Sequence, residues 1–114
     1  MIPVIVIHRG NQDYFNIVVQ QASKNNNVHV INDELINTHL TPEFSNVYKH
    51  LSTNDYNFEL MCFNRWFILL NYMKAKNINM CFHIDSDVLL FSDVEKDYIN
   101  YEQYDFTLSH RTRL

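Results

Sequence analysis

Residues 3–32 read PVIVIHRGNQDYFNIVVQQASKNNNVHVIN, and this stretch decides the fold class. Pro3 to His8 is a compact β-branched run followed at once by a polar turn at Arg9, Gly10 and Asn11, which predicts a buried strand. From Gln12 to Lys24 the apolar residues Tyr14, Phe15, Ile17, Val18, Val19 and Ala22 recur at helical spacing, and Asn25, Asn26 and Asn27 stop the helix. Val28 to Asn32 then reads as a second strand. Strand, helix and strand in succession make a βαβ unit, whose strands pair in parallel. The expected fold is α/β and Rossmann-like, with a mostly parallel sheet flanked by helices and residues 1–114 forming one domain.

Asp33 to Asn57 shows no sustained period and predicts a long connection with one short helix near Phe44 to His50. Phe58 to Lys76 is apolar nearly all the way round, the pattern of a helix packed on more than one side, with Trp66 to Leu70 read as core. Arg65 is the anomaly on that helix, because a guanidinium in apolar surroundings requires an anion beside it. Met80 to Ile84 predicts a third strand running into Asp85, Ser86 and Asp87. Val88 to Phe91 continues apolar, Ser92 to Gln103 is polar, and Tyr104 to Ser109 is a candidate fourth strand.

The chain has 114 residues, 46% of them hydrophobic and 19% charged, with eight Phe, seven Tyr and one Trp, so it belongs with folding chains rather than disordered ones. A net charge of -4 is the wrong sign for a nucleic-acid or anionic-membrane surface. Any bound phosphate must therefore be held locally. Cys62 and Cys81 are too few for a zinc site or a disulfide scaffold and are read as free and buried. No stretch reaches the roughly 18 apolar residues of a membrane span, and the amino terminus lacks a signal-peptide pattern. The expected location is cytoplasmic, or peripheral to a membrane through parts outside this sequence.

A parallel sheet opens its ligand crevice at the carboxyl ends of its strands, where Asp85 and Asp87 fall. If the backbone stays extended, residues two apart point the same way and the two carboxylates converge on one cation. Two carboxylates about 4 Å apart repel by roughly 4 kcal/mol at an effective dielectric of 20, so they favour a divalent ion or a shared proton. Oxygen donors of this kind suit Mg²⁺ or Mn²⁺ and leave positions for substrate phosphate. The plainer alternative has Asp85 capping a turn and Asp87 solvated. His83 lies on the same strand face and is read as a core histidine rather than a third ligand. His110, Arg111 and Arg113 are read as a fraying terminus rather than a phosphate site.

The run 58–94, FELMCFNRWFILLNYMKAKNINMCFHIDSDVLLFSDV, resembles the nucleotide-binding half of GT-A type glycosyltransferases: an aromatic helix with Arg, a strand, Asp-x-Asp and a Leu-Leu-Phe continuation. The opening PVIVIHRGN, the VIND at the second strand and the later YDFTLSH fall in that family's order. The resemblance implies a nucleotide-sugar donor, a UDP-sugar first among them, and a saccharide, lipid or protein acceptor. It implies Mn²⁺ or Mg²⁺ at Asp85 and Asp87, with Ser86 beside the donor. By the same resemblance His8, Arg9, Asn32 and Asp33 line the nucleoside pocket, Asp33 accepting from ribose hydroxyls. Arg65 pairs with the diphosphate or with the Asp-x-Asp carboxylates, or makes a plain ion pair with Glu59 or another core acid.

The resemblance reaches the donor half only, so no catalytic base is assigned, and the chain is expected to lack its acceptor-binding part. Two alternatives stand beside it. One is a non-catalytic, truncated α/β nucleotide-binding module whose apolar edge is covered by a missing segment or another copy. The other, more distant, is a haloacid-dehalogenase-type phosphatase, whose nucleophile motif Ile84-Asp85-Ser86-Asp87-Val88 also resembles, with Asp85 attacking phosphorus.

Overall fold

In the computed structural model, which describes residues 1–108, three short parallel strands form an open sheet with helices on both faces. In chain order the elements are β1 (Val4–Ile7), α1 (Tyr14–Ser23), β2 (Val28–Ile31), α2 (Asp33–His39), α3 (Pro42–Val47), α4 (Tyr56–Ala75), β3 (Phe82–Ile84) and α5 (Val94–Tyr98). β1 is central. It pairs in parallel with β2 on one side, from Val4 with Val28 to Ile7 with Ile31, and with β3 on the other, from Val4 with Phe82 to Val6 with Ile84.

Alternation along β1 builds two cores from one strand. Ile5 turns to the α4 face and packs with Ile31, Ile36, Ile68, Leu69 and Tyr72. Val4 and Val6 turn to the opposite face, where Val94 of α5, Phe15 of α1, Val28, Phe82 and Ile84 close over them. Ile5, Ile31, Ile36 and Ile68 are fully buried, and burying a side chain of that size contributes about 1.5–3 kcal/mol each.

Asn26 joins the end of α1 to the start of α5. Its Nδ2 donates to the carbonyls of Ala22 (3.0 Å) and Ser92 (2.9 Å), and its Oδ1 accepts from the backbone N–H of Val94 (2.9 Å). Asn25 and Asn26 therefore do more than stop α1: they tie the segment after β3 to the first βαβ unit, Asn25 through the carbonyl of Phe91.

Several expectations need correction. The connection after β2 holds two helices: α2 starts where Asn32 Oδ1 accepts from the N–H of Leu35, and α3 starts at Pro42. The polar stretch after Phe91 folds into α5, capped by Asp93, whose Oδ1 accepts from the N–H of Glu95. Residues 104–108 of the candidate fourth strand are not in a strand, and Ser109, His110, Arg111 and Arg113 lie outside the described residues. Trp66, Phe67 and Leu70 are not core; only Ile68 and Leu69 of that cluster are buried. Cys62 and Cys81 are free but half-buried. Among the described residues no helix is long and apolar enough to cross a membrane.

Candidate functional site

Because all three strands are parallel and in register, their carboxyl ends meet along one edge of the sheet. His8 and Arg9 follow β1, Asn32 and Asp33 follow β2, and Asp85, Ser86 and Asp87 follow β3. β2 and β3 lie on opposite sides of β1, the arrangement in which ligands bind at the strand ends of open α/β sheets.

The backbone does not stay extended through Asp85-Ser86-Asp87. Ser86 and Asp87 are the central residues of a turn closed by the N–H of Val88 donating to the carbonyl of Asp85 (3.2 Å). The expected two-residue alternation is thus broken: Asp85 opens the turn and Asp87 lies within it, rather than both sharing one strand face. Asp85 still follows the facing of His83 and Ile5 toward α4, where Arg65 Nη1 donates to its Oδ1 at 2.7 Å. Asp87 is exposed.

Arg65 thus has its anion, and it is not Glu59, whose carboxylate accepts from Ser52 Oγ and from Asn54 Nδ2 (3.3 Å). The guanidinium also lies over Trp66, 4.9 Å from the ring centroid. An ion pair with side chains 32% and 58% exposed contributes about 0–1 kcal/mol, so this one is too weak to be a fold determinant.

His83 supports the same corner. Its Nδ1–H donates to the carbonyl of Ile5 (2.9 Å), its Nε2 is buried without a hydrogen-bond partner, and Trp66 meets the ring edge-on at 5.5 Å. Burial holds its pKa below the usual histidine value, and the Arg65 charge works in the same direction. The ring is neutral near pH 7. Among the described residues no three His, Cys, Asp or Glu side chains group as a ready metal cage.

Chain comparisons with protein-family models, curated proteins and solved structures give no match. The site is therefore read from its own atoms.

Asp33 accepts from the N–H of Gly10 through Oδ2 (3.1 Å) and Oδ1 (3.4 Å), which holds the turn after β1 against the start of α2. Gly10 has φ +88°, a conformation other residues adopt only with strain. Two N–H···O contacts leave lone pairs on the carboxylate for further donors. Asn32 caps α2 through its Oδ1, and Arg9 is exposed. The His8 imidazole is buried and stacked on Phe15, with centroids 4.0 Å apart and planes 11° off parallel.

The donor chemistry here fits a hard divalent ion. Asp85 and Asp87 offer carboxylate oxygens at an exposed turn with Ser86 between them, and Mg²⁺ or Mn²⁺ completes such a partial set with water and phosphate oxygens. A separate cleft of about 600 Å³ lies near Met1, Lys24, Asn25 and Glu95. It sits at the amino ends of the strands, and the Asn25 and Asn26 amides on its wall are already hydrogen-bonded within the fold. The carboxyl ends of the strands are the better candidate because Arg9 and Asp87 are exposed there beside the Arg65–Asp85 pair.

Proposed function

We propose that this chain binds a nucleotide-sugar donor, a UDP-sugar in the first instance, through Mn²⁺ or Mg²⁺ held by Asp85 and Asp87, and serves glycosyl transfer. The fold that carries this reading is Rossmann-like, a doubly wound sheet with its crevice at the carboxyl ends of β1, β2 and β3. The observation that supports it best is that Arg9, Asp33 and Asp85-Ser86-Asp87 all follow the carboxyl ends of the three parallel strands, with Arg65 on Asp85 at 2.7 Å.

When bound, a divalent ion at this turn supplies charge neutralisation for the diphosphate leaving the anomeric carbon. The chain's own residues do the rest. Arg65 fixes the orientation of Asp85 and adds positive charge beside it. Asp33, already holding Gly10, offers its remaining lone pairs to ribose hydroxyls, and Arg9 brings a second cation to the same edge. Ser86 presents a hydroxyl between the two carboxylates. The acceptor, whether saccharide, lipid or protein, meets the donor from the open side of the crevice.

Isothermal calorimetry with UDP in the presence of Mn²⁺ tests the reading, with GDP and a chelator as comparisons. Saturable heat that the chelator removes is the expected result. A folded chain that gives neither heat nor a thermal shift with either nucleotide overturns it. Binding of beryllium fluoride with Mg²⁺ in place of nucleotide moves the assignment to a phosphatase.

A further inference from the structure

The face of α4 opposite its core residues is apolar, with Trp66 at its border where it also touches His83 of β3. Phe63, Trp66, Phe67 and Leu70 are each between 42% and 48% exposed, and their i, i+3, i+4, i+7 spacing puts them in one stripe. Ile68, Leu69 and Tyr72 face the other way into the core. Phe44 of α3 leans against Phe63 and Phe67 at centroid distances of 5.6 and 5.5 Å but leaves both partly open. Half-open aromatic stripes of this kind mark interaction surfaces.

The order of residues along the stripe says what fits it. Two rows of four-residue steps lie side by side: Glu59, Phe63 and Phe67 in one, Trp66, Leu70 and Lys74 in the other. Turning the helix end for end about the point between Trp66 and Phe67 lays one row on the other. Phe63 then meets Leu70, Trp66 meets Phe67, and Glu59 meets Lys74. An interface with two-fold symmetry requires this reciprocity, each residue meeting a partner that meets it in return. The charges close both ends with opposite signs. Glu59 is held ionised by the hydrogen bond from Ser52, and Lys74 is exposed.

We propose that α4 packs antiparallel against α4 of a second copy of this chain, with Phe63, Trp66, Phe67 and Leu70 at the centre and Glu59–Lys74 pairs at the two ends. Three aromatic side chains of about 150–250 Å² each and one leucine, all a little under half exposed, supply on the order of 350 Å² per copy. That is the apolar centre of a patch of roughly 800 Å² per partner. A membrane is the poorer occupant, because a net charge of -4 opposes an anionic surface.

Trp66 is the only tryptophan, so its emission reports this interface directly. Sedimentation equilibrium and Trp emission are followed over a hundredfold dilution from about 100 μM, a range that brackets micromolar association. A mass near two chains at the top of the range, with blue-shifted emission that moves red on dilution, is expected. Glu59→Lys or Lys74→Glu alone weakens the dimer by at least about tenfold through like-charge contact, and the two combined restore it. Circular dichroism confirms that each variant is folded, and Lys74→Glu covers the case in which Glu59→Lys disturbs the Ser52 and Asn54 contacts. A monomer throughout, a dimer indifferent to both reversals, or a combined variant that fails to recover overturns the proposal. A monomer that co-sediments with phosphatidylserine vesicles overturns it in favour of a lipid surface.

Discussion

The two sides of β1 differ in how they are held. Toward β2 the register runs over four residue pairs, and Ile5 and Ile31 are fully buried under α2 and α4. Toward β3 it runs over three pairs and no β3 residue is fully buried, whereas β2 buries Ile31 and leaves its other three residues half-buried; Val88, Leu89 and Phe91 beyond β3 are exposed. The first side carries the packing energy. The second carries the charged turn, whose exposed Asp85 and Asp87 can be substituted with little cost to folding.

The sharpest test of that division is Ile5→Ala, which empties a fully enclosed site on the α4 face and is expected to cost about 3 kcal/mol in urea unfolding. A cost below that of surface substitutions would erase the contrast. Asn26→Ala comes next. It removes three hydrogen bonds, two of which join the end of α1 to the segment after β3, for a loss of about 2 kcal/mol in the same measurement. Gly10→Ala places a Cβ 3.0 Å from the Gln12 side chain at φ +88° and costs about 1 kcal/mol or more.

Smaller effects probe the β3 side. His83 has its pKa lowered in the folded protein, so below its ordinary value of 6.5 the unfolded chain binds a proton that the native chain refuses. Its contribution to stability is full above pH 6.5 and is lost as pH falls below it. Thermal melts from about pH 7.5 to 5.5 should show this decline, and His83→Gln should flatten it. Smallest of all, Asp87→Asn is expected to change stability by no more than about 0.5 kcal/mol, since the side chain is exposed. A large loss of stability there would place Asp87 in the scaffold rather than the site.

The βαβ opening was legible because its three segments each carry one clean period, and the packing of Val4, Ile5 and Val6 follows from strand alternation. α2 and α5 were hidden by their length, although Asn32 before Asp33-Glu34 and Asp93 before Val94-Glu95 are the cap signals that reveal them. The turn at Ser86-Asp87 matches the plainer alternative, a turn after Asp85 with Asp87 solvated, although Val88 to Phe91 is apolar enough to suggest a continuing strand. α4 misled differently. An all-round apolar helix reads as buried, yet its outer stripe stays open, and sequence pattern does not distinguish a core face from one awaiting a partner. The need of Arg65 for an anion was legible from its neighbours. Which anion it meets depended on the position of α4 over the end of β3.

The central claim is that the turn after β3 holds a divalent ion together with a nucleoside diphosphate. Electron paramagnetic resonance of free Mn²⁺, titrated with UDP present, tests it most directly, comparing the parent chain with Asp87→Asn, which leaves the Arg65–Asp85 pair in place. The account predicts one bound Mn²⁺ per chain in the parent and affinity lower by at least about tenfold in the folded variant. Equal binding by the two chains, or none by either, would contradict it.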